Sequence, residues 1–255
     1  MALLEVKDMT QYFGGLCAVT DFGVTFEGGE LMGLIGPNGA GKTTVFNLVS
    51  GFYQPSCGDI VFKGKNTRGL KPHKVTGLGI ARTFQNIRLW FDMTVLDNIL
   101  VSQYYHLGYG LVDCFLRSRR FMRREKEMRD WAMEILTALD LAQYAAELPG
   151  NLPYGIQRRV EIARALSIRP DLLMLDEPAA GLNSADVEGL ITLIRWIHKE
   201  FKLSIWMIEH QMDVVMSLCT WIKVIDFGAT IAEGTPAEIR QNPVVIKAYL
   251  GDDTI

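Results

Sequence analysis

Cysteine is scarce and scattered in this 255-residue chain. Cys17, Cys57, Cys114 and Cys219 are the only four, and none forms a Cys-x-x-Cys pair. A disulfide scaffold or a zinc site is thereby excluded, and four reduced thiols are expected. His73, His106, His198 and His210 show no metal-ligand spacing either. An excess of positive charge is also missing. Lys plus Arg is 26, Asp plus Glu is 29, and the net charge is -3, so there is no bulk basic field and no nucleic-acid partner is expected. No apolar run approaches the ~18 residues of a membrane span, although hydrophobic residues make up 49% and mean hydropathy is +0.13. Met1-Ala2-Leu3-Leu4 meets Glu5, Lys7 and Asp8 at once, so a signal peptide is not expected. Internal repeats, low-complexity segments, sustained heptads and a guanine-reading Asn-Lys-x-Asp are absent as well. What remains is apolar material for a sizeable core, in one large domain or two small ones at ~150 residues each.

Apolar patterning places strands at 3–6, 22–26, 31–35, 59–63 and 80–84. A helix starts near Lys42 and ends by Gly51. From about 89 to 154 the pattern turns helical. Thr94-x-x-Asp97 opens one helix, and Met128, Trp131, Ile135 and Leu139 repeat at helical spacing on another. Alternation then returns, with helices at 155–168, 184–201 and 211–218 and strands at 172–175, 204–208, 221–225 and 230–232. Thr235-Pro236-x-Glu238 opens a terminal helix. Alternating β and α implies an α/β fold, a parallel sheet covered by helices. Residues 1–88 and 155–255 read as its core, and 89–154 as an inserted helical subdomain.

Gly36-Pro37-Asn38-Gly39-Ala40-Gly41-Lys42-Thr43 fits G-x-x-x-x-G-K-[ST] completely, after an apolar strand and before a helix. The glycines let successive N–H groups curl around phosphate oxygens, and the helix N-terminus adds partial positive charge. Lys42 brings a cation to the β- and γ-phosphates, the Thr43 hydroxyl can ligate Mg²⁺, and Thr44 follows on the same turn. Leu172-Leu173-Met174-Leu175-Asp176-Glu177 is the second half: a buried strand delivering two carboxylates to its C-terminal end. Asp176 is placed for the Mg²⁺ shell and Glu177 for polarising the attacking water. Alone, an apolar strand followed by Asp-Glu is common; beside a complete P-loop it reads as catalytic.

Leu152-Pro153-Tyr154-Gly155-Ile156-Gln157-Arg158-Arg159, just upstream of that strand, resembles the signature motif of ABC-type ATPases. The order of motifs along the whole chain resembles that family too. The resemblance implies a P-loop NTPase with a RecA-like parallel-sheet core, an N-terminal antiparallel β part and the inserted helical subdomain. It implies Gln85 as the Q-loop glutamine at Mg²⁺ or the water and His210 as the switch histidine at the γ-phosphate. Ala180-Gly181-Leu182-Asn183 becomes the D-loop, and Phe13, with Val19 flanking it, becomes the adenine-stacking face. Pro153, Tyr154, Gly155, Ile156 and Gln157 would contact nucleotide in trans, from one subunit onto its partner. Three positions depart from the family pattern: Pro153 stands for serine, Ile156 for glutamine and Asn183 for aspartate.

The strings Ile80-Ala81-Arg82-Thr83-Phe84-Gln85, Leu96-Asp97-Asn98-Ile99, Pro178 to Asn183 and the tail Ile246 to Gly251 resemble ATP-binding subunits of branched-chain amino acid importers. Urea or amide importers and lipopolysaccharide-export ATPases share many of them. Soluble ABC ATPases acting on ribosomes or DNA carry tandem cassettes or coiled coils, which this chain lacks. The resemblance implies ATP and Mg²⁺, and a second ATPase subunit that is a paralogue or a copy. It also implies two membrane permeases, a periplasmic binding protein acting indirectly, and a peripheral position on the cytoplasmic face of the inner membrane. A basic insertion near 111–129 (Arg117, Arg119, Arg120, Arg123, Arg124, Lys126 and Arg129, with Glu125 and Glu127 among them) has three readings. It reads as a solvated face with i,i+4 pairs, as a surface for anionic headgroups, or as a nucleic-acid contact.

Overall fold

Period-two alternation is the mark of a half-buried strand, and β-bulges hide it. The computed structural model, which describes residues 2–250, shows where. β1 (Leu4–Phe13) and β2 (Leu16–Phe26) form one long antiparallel hairpin. Only their ends are legible, because the register shifts between Val6 and Met9 and again up to Tyr12, which leaves Asp8 exposed beside Lys7 and then buries Met9, Thr10 and Gln11 in a row. Then come β3 (Leu31–Ile35), α1 (Lys42–Val49), β4 (Cys57–Phe62), β5 (Lys65–Asn66), α2 (Pro72–Leu78) and β6 (Ile80–Arg82). The helical stretch contains α3 (Val95–Gln103), α4 (Leu111–Phe115), α5 (Arg119–Ala138) and α6 (Tyr154–Leu166). After it come β7 (Leu172–Asp176), α7 (Ser184–Phe201), β8 (Ser204–Ile208), α8 (Met212–Leu218), β9 (Trp221–Asp226), β10 (Ala229–Gly234), α9 (Pro236–Gln241) and α10 (Pro243–Leu250). Gly251 of the tail string lies outside the described residues.

The chain divides into two compact units, 1–85 with 171–255, and 86–170. The first holds both sheets. One is antiparallel, in the order β2-β1-β4-β5; the other runs β10-β9-β3-β8-β7-β6. The second is parallel from β9 to β6, and β10 joins antiparallel through a hairpin. Phe227 and Gly228, with φ of 44° and 83°, are the pair of left-handed residues that a tight two-residue hairpin turn requires. Every residue of β7 and β8 is buried, as expected of central parallel strands covered on both faces. The core lies between the sheets. Trp206 of β8 meets Phe22 and Phe26 of β2 and Phe46 of α1, at centroid distances of 6.3, 5.5 and 5.0 Å.

The second unit packs α3, α5 and α6 around Ile99, Met128, Ile135, Leu136, Val160 and Ala163, all buried. Thr94 caps α3, its hydroxyl oxygen accepting from the Asp97 amide at 3.1 Å, as the Thr-x-x-Asp spacing predicts. The structure moves one boundary. Sequence patterning ends the helical subdomain at 154, whereas α6 belongs to the helical unit, which extends to residue 170. The reason is packing: α6 buries its apolar face with α3 and α5, and a periodic helix pattern cannot say on which neighbour that face lies.

Candidate nucleotide-binding site

The P-loop follows β3 directly. Gly36, Gly39 and Gly41 take φ of 154°, 81° and 102°. Two of these positions admit only glycine. A Cβ on Gly36 would sit 2.0 Å from the Ile225 carbonyl oxygen, and one on Gly41 would sit 2.6 Å from that of Ala18. The loop is thus pressed against β9 and β2, and α1 starts immediately after Gly41. Lys42 is buried, and its ammonium donates to the carbonyls of Gly36 (2.7 Å) and Pro37 (2.9 Å). Burial pushes its pKa below the ordinary lysine value, against the opposing pull of Glu177 and Asp176.

A cleft of about 540 Å³ opens over this loop. It is lined by Asn38, Gly39, Ala40, Gly41, Lys42, Thr43 and Thr44, by Glu177, and by Phe13, Leu16, Cys17, Ala18 and Phe227. Phe13 is half exposed and packs edge-on to Tyr53 at 5.3 Å. Val19 is a correction. It is wholly buried in the core, because along β2 its side chain points inward while Leu16, Cys17 and Ala18 line the cleft. Val19 supports the loop from below instead, within 3.5 Å of where a Gly41 Cβ would lie. Leu16 and Phe227 were missed. Leu16 sits beyond the Gly14-Gly15 turn from Phe13, a cue that sequence does contain. Phe227 is brought by tertiary structure: the Gly228 amide donates to Ala40 at 3.0 Å and its carbonyl accepts from Thr20 at 2.9 Å, tying the β9–β10 turn to the P-loop.

Asp176 ends β7 and Glu177 follows it directly. Glu177 takes φ 48°, a left-handed conformation costing roughly 1–3 kcal/mol for such a residue. Its carboxylate oxygen Oε2 accepts from Gln85 Nε2 at 2.6 Å and lies 3.1 Å from His210 Nε2. Residues far apart in sequence therefore converge on one oxygen. Beneath them sits Glu209, which sequence reading passed over. Its buried carboxylate accepts from the backbone amides of Ala179 (2.7 Å), His210 (3.1 Å) and Gln211 (3.3 Å). Burial raises its pKa, and those amides resist the rise. Asp176 pairs with Arg82 at the end of β6, a partner that no local sequence pattern marks.

Thr43 and Asp176 offer a neutral and an anionic oxygen, and Gln85 adds an amide oxygen, the hard donors that Mg²⁺ takes. Among the described residues no group of three His, Cys, Asp or Glu side chains could hold a metal alone. The donor set thus fits an ion that completes its shell with phosphate and water. The residues of the signature string belong to the helical unit. Pro153 is the N-cap of α6 and gives no side-chain cap. Its carbonyl accepts from the amides of Ile156 and Gln157, both at 3.0 Å. Tyr154 is exposed, and its hydroxyl accepts from Arg158 at 3.2 Å, while Gln157 Nε2 donates to Leu152 at 2.9 Å. Asn183 caps α7, accepting from the Asp186 amide at 2.9 Å, so the residue that replaces aspartate here is used locally. No helix among the described residues is long and apolar enough to cross a membrane.

Residues 19–180 match the family described as ABC transporter, and residues 229–254 that described as branched-chain amino acid ATP-binding cassette transporter. The chain is 46% identical over 250 residues to the high-affinity branched-chain amino acid transport ATP-binding protein BraF of Pseudomonas aeruginosa, covering 98% of each. It is 44% identical to the corresponding protein LivG of Salmonella typhimurium, with the same coverage. An ATP-binding cassette of an ABC transporter, solved in its ADP conformation, superposes with a TM-score of 0.86 at 28% identity, covering 99% of this chain and all of that one.

Proposed function

The chain belongs to the ABC transporter family as an ATP-hydrolysing cassette, and from that premise we propose that it energises uptake of branched-chain, hydrophobic amino acids across the cytoplasmic membrane. One observation carries the substrate class: the match at 229–254 to the branched-chain group, in a segment outside the general cassette match.

In this reading the P-loop amides and Lys42 receive the nucleotide phosphates, and Phe13 and Leu16 receive its base. Glu177 accepts a proton from the attacking water, while Gln85 and His210 hold its carboxylate in place. Thr43, Asp176 and Gln85 would hold Mg²⁺, which supplies neutralisation of phosphate charge. Catalysis is then mostly positioning and electrostatics. The signature string of a second cassette, paralogue or copy, closes the cleft, and this chain's Pro153 to Gln157 do the same for the partner. Closure drives two membrane permeases, with a periplasmic binding protein delivering the solute and the cassettes peripheral on the cytoplasmic face.

The test is transport. In vesicles holding the permeases and both cassettes, leucine uptake should require ATP and this chain, and the Glu177→Gln chain should not support it. Uptake of urea in place of leucine would overturn the substrate class.

A further inference from the structure

We propose that residues 111–126 form a membrane anchor that seats directly on an anionic lipid surface. Leu111, Val112 and Phe115 of α4 and Leu116 just after it are 90, 72, 90 and 69% exposed. Their spacing of i, i+1, i+4 and i+5 puts them on one face of a helix. Clustered large apolar side chains left in water mark an interaction surface.

This segment is a built element. The Asp113 carboxylate accepts from the Gly110 amide (3.3 Å) and the Ser118 hydroxyl (2.7 Å), which fixes both ends of α4. Ser118 in turn caps α5, accepting from the Phe121 amide at 3.2 Å. Behind the turn, the rings of Tyr109 and Phe121 meet edge-on at 5.1 Å, and the Tyr109 hydroxyl donates to Glu125. The polar neighbours of the apolar face are thus engaged with one another, and the face itself stays exposed.

Charge selects the occupant. Residues 111–126 hold six basic and two acidic side chains, in a chain whose net charge is -3. Both acids, Asp113 and Glu125, are taken up by the contacts just given. Arg119, Met122, Arg123 and Lys126 recur at helical spacing and are exposed on α5. Arg123 shares Glu127 with Arg124, at 3.6 and 3.3 Å, a solvent-exposed and weak engagement. An apolar face beside arginines is the composition of an interfacial helix, apolar side in the acyl boundary and guanidinium groups on headgroup phosphates. A nucleic-acid backbone would use the arginines and leave Leu111, Phe115 and Leu116 without a role. The inference does not rest on which solute is transported.

The test uses the full chain without permeases, sedimented with vesicles of phosphatidylcholine alone or with phosphatidylglycerol added. Binding is expected on the phosphatidylglycerol vesicles and should be far weaker on the neutral ones. Phe115→Ser with Leu116→Ser should lower partition by about tenfold or more. Arg119→Gln with Arg120→Gln should lower it by about fivefold per residue and flatten its salt dependence. Nucleotide binding should be unchanged in both, reporting an intact fold. Leu111→Gln, with almost no packing to lose, serves as an independent variant. Equal binding to both vesicle types, or binding unchanged by these substitutions, overturns the proposal. So do binding that needs permease in the vesicle, a self-associated dimer formed through Phe115 in place of lipid binding, and retention on DNA that ignores the Phe115 and Leu116 changes.

Discussion

Arg82 and Asp176 form a buried ion pair at the catalytic end of the parallel sheet, Nη2 to Oδ2 2.7 Å, with side chains 5% and 4% exposed. The Nη1 nitrogen of the same guanidinium donates to Asn47 (2.8 Å) and Ser50 (2.9 Å) at the end of α1. The rings of Phe46, Phe52 and Phe84 surround it at 5.6, 5.8 and 5.0 Å. One side chain thus ties the P-loop helix to β6 and to the carboxylate at the end of β7.

Removing that cation leaves Asp176 charged and buried. Arg82→Met should therefore destabilise the chain by roughly 3–5 kcal/mol, read by urea unfolding. Arg82→Lys keeps the charge but loses the planar fork that reaches three partners, so it should recover only part of the loss. Full recovery by lysine would show that charge alone matters.

Gln85 and His210 meet on the same oxygen of Glu177, and this predicts graded effects on turnover. Glu177→Gln should lower phosphate release by roughly 10²–10⁴-fold while nucleotide still binds. Gln85→Ala should cost less, because His210 still holds the carboxylate. Undiminished hydrolysis in Glu177→Gln removes its role as base.

Cys219 is predicted to make stability fall at high pH. Burial pushes its thiol from 9.0 up to about 12. Between those values the unfolded chain gives up the proton and the folded chain keeps it. The contribution is complete below pH 9 and is lost as pH rises toward 12, at about 1.4 kcal/mol per unit. The stability of the wild-type chain should fall relative to that of Cys219→Val across that window, whereas a constant difference contradicts it. Native alkylation should also reach the exposed Cys57 and Cys114 and spare Cys219.

Pro153 starts α6 without a cap. Pro153→Ser should add a capping bond worth about 1 kcal/mol, offset by about 0.4–1 kcal/mol as the unfolded chain gains freedom. The unfolding midpoint should therefore barely move. Combined with Ile156→Gln in an assembled complex, it should raise ATPase turnover, because the signature then offers its partner a hydroxyl and an amide. A turnover that stays at the starting value sinks the proposed trans contact.

Sequence alone determined the P-loop, the acidic strand end and the α/β alternation. Each is a local pattern whose physics acts within a few residues: a glycine turn before a helix, or an apolar strand buried on both faces. It also contained Gln85 and His210, but only resemblance gave them roles, since nothing local marks a glutamine in the loop after a short strand. Tertiary structure decided that both converge on Glu177, that Arg82 holds Asp176, and that Glu209 anchors the backbone at His210, because parallel strands align residues from distant segments at one edge. It also decided against Val19. The bulges of the first hairpin break the alternation from which its facing would be read, and only the folded sheet shows that it points into the core. Finally, sequence showed a basic cluster at 117–129, and structure added the exposed Leu111 to Leu116 face beside it. Whether an apolar side chain is buried depends on what packs over it, which no local pattern records.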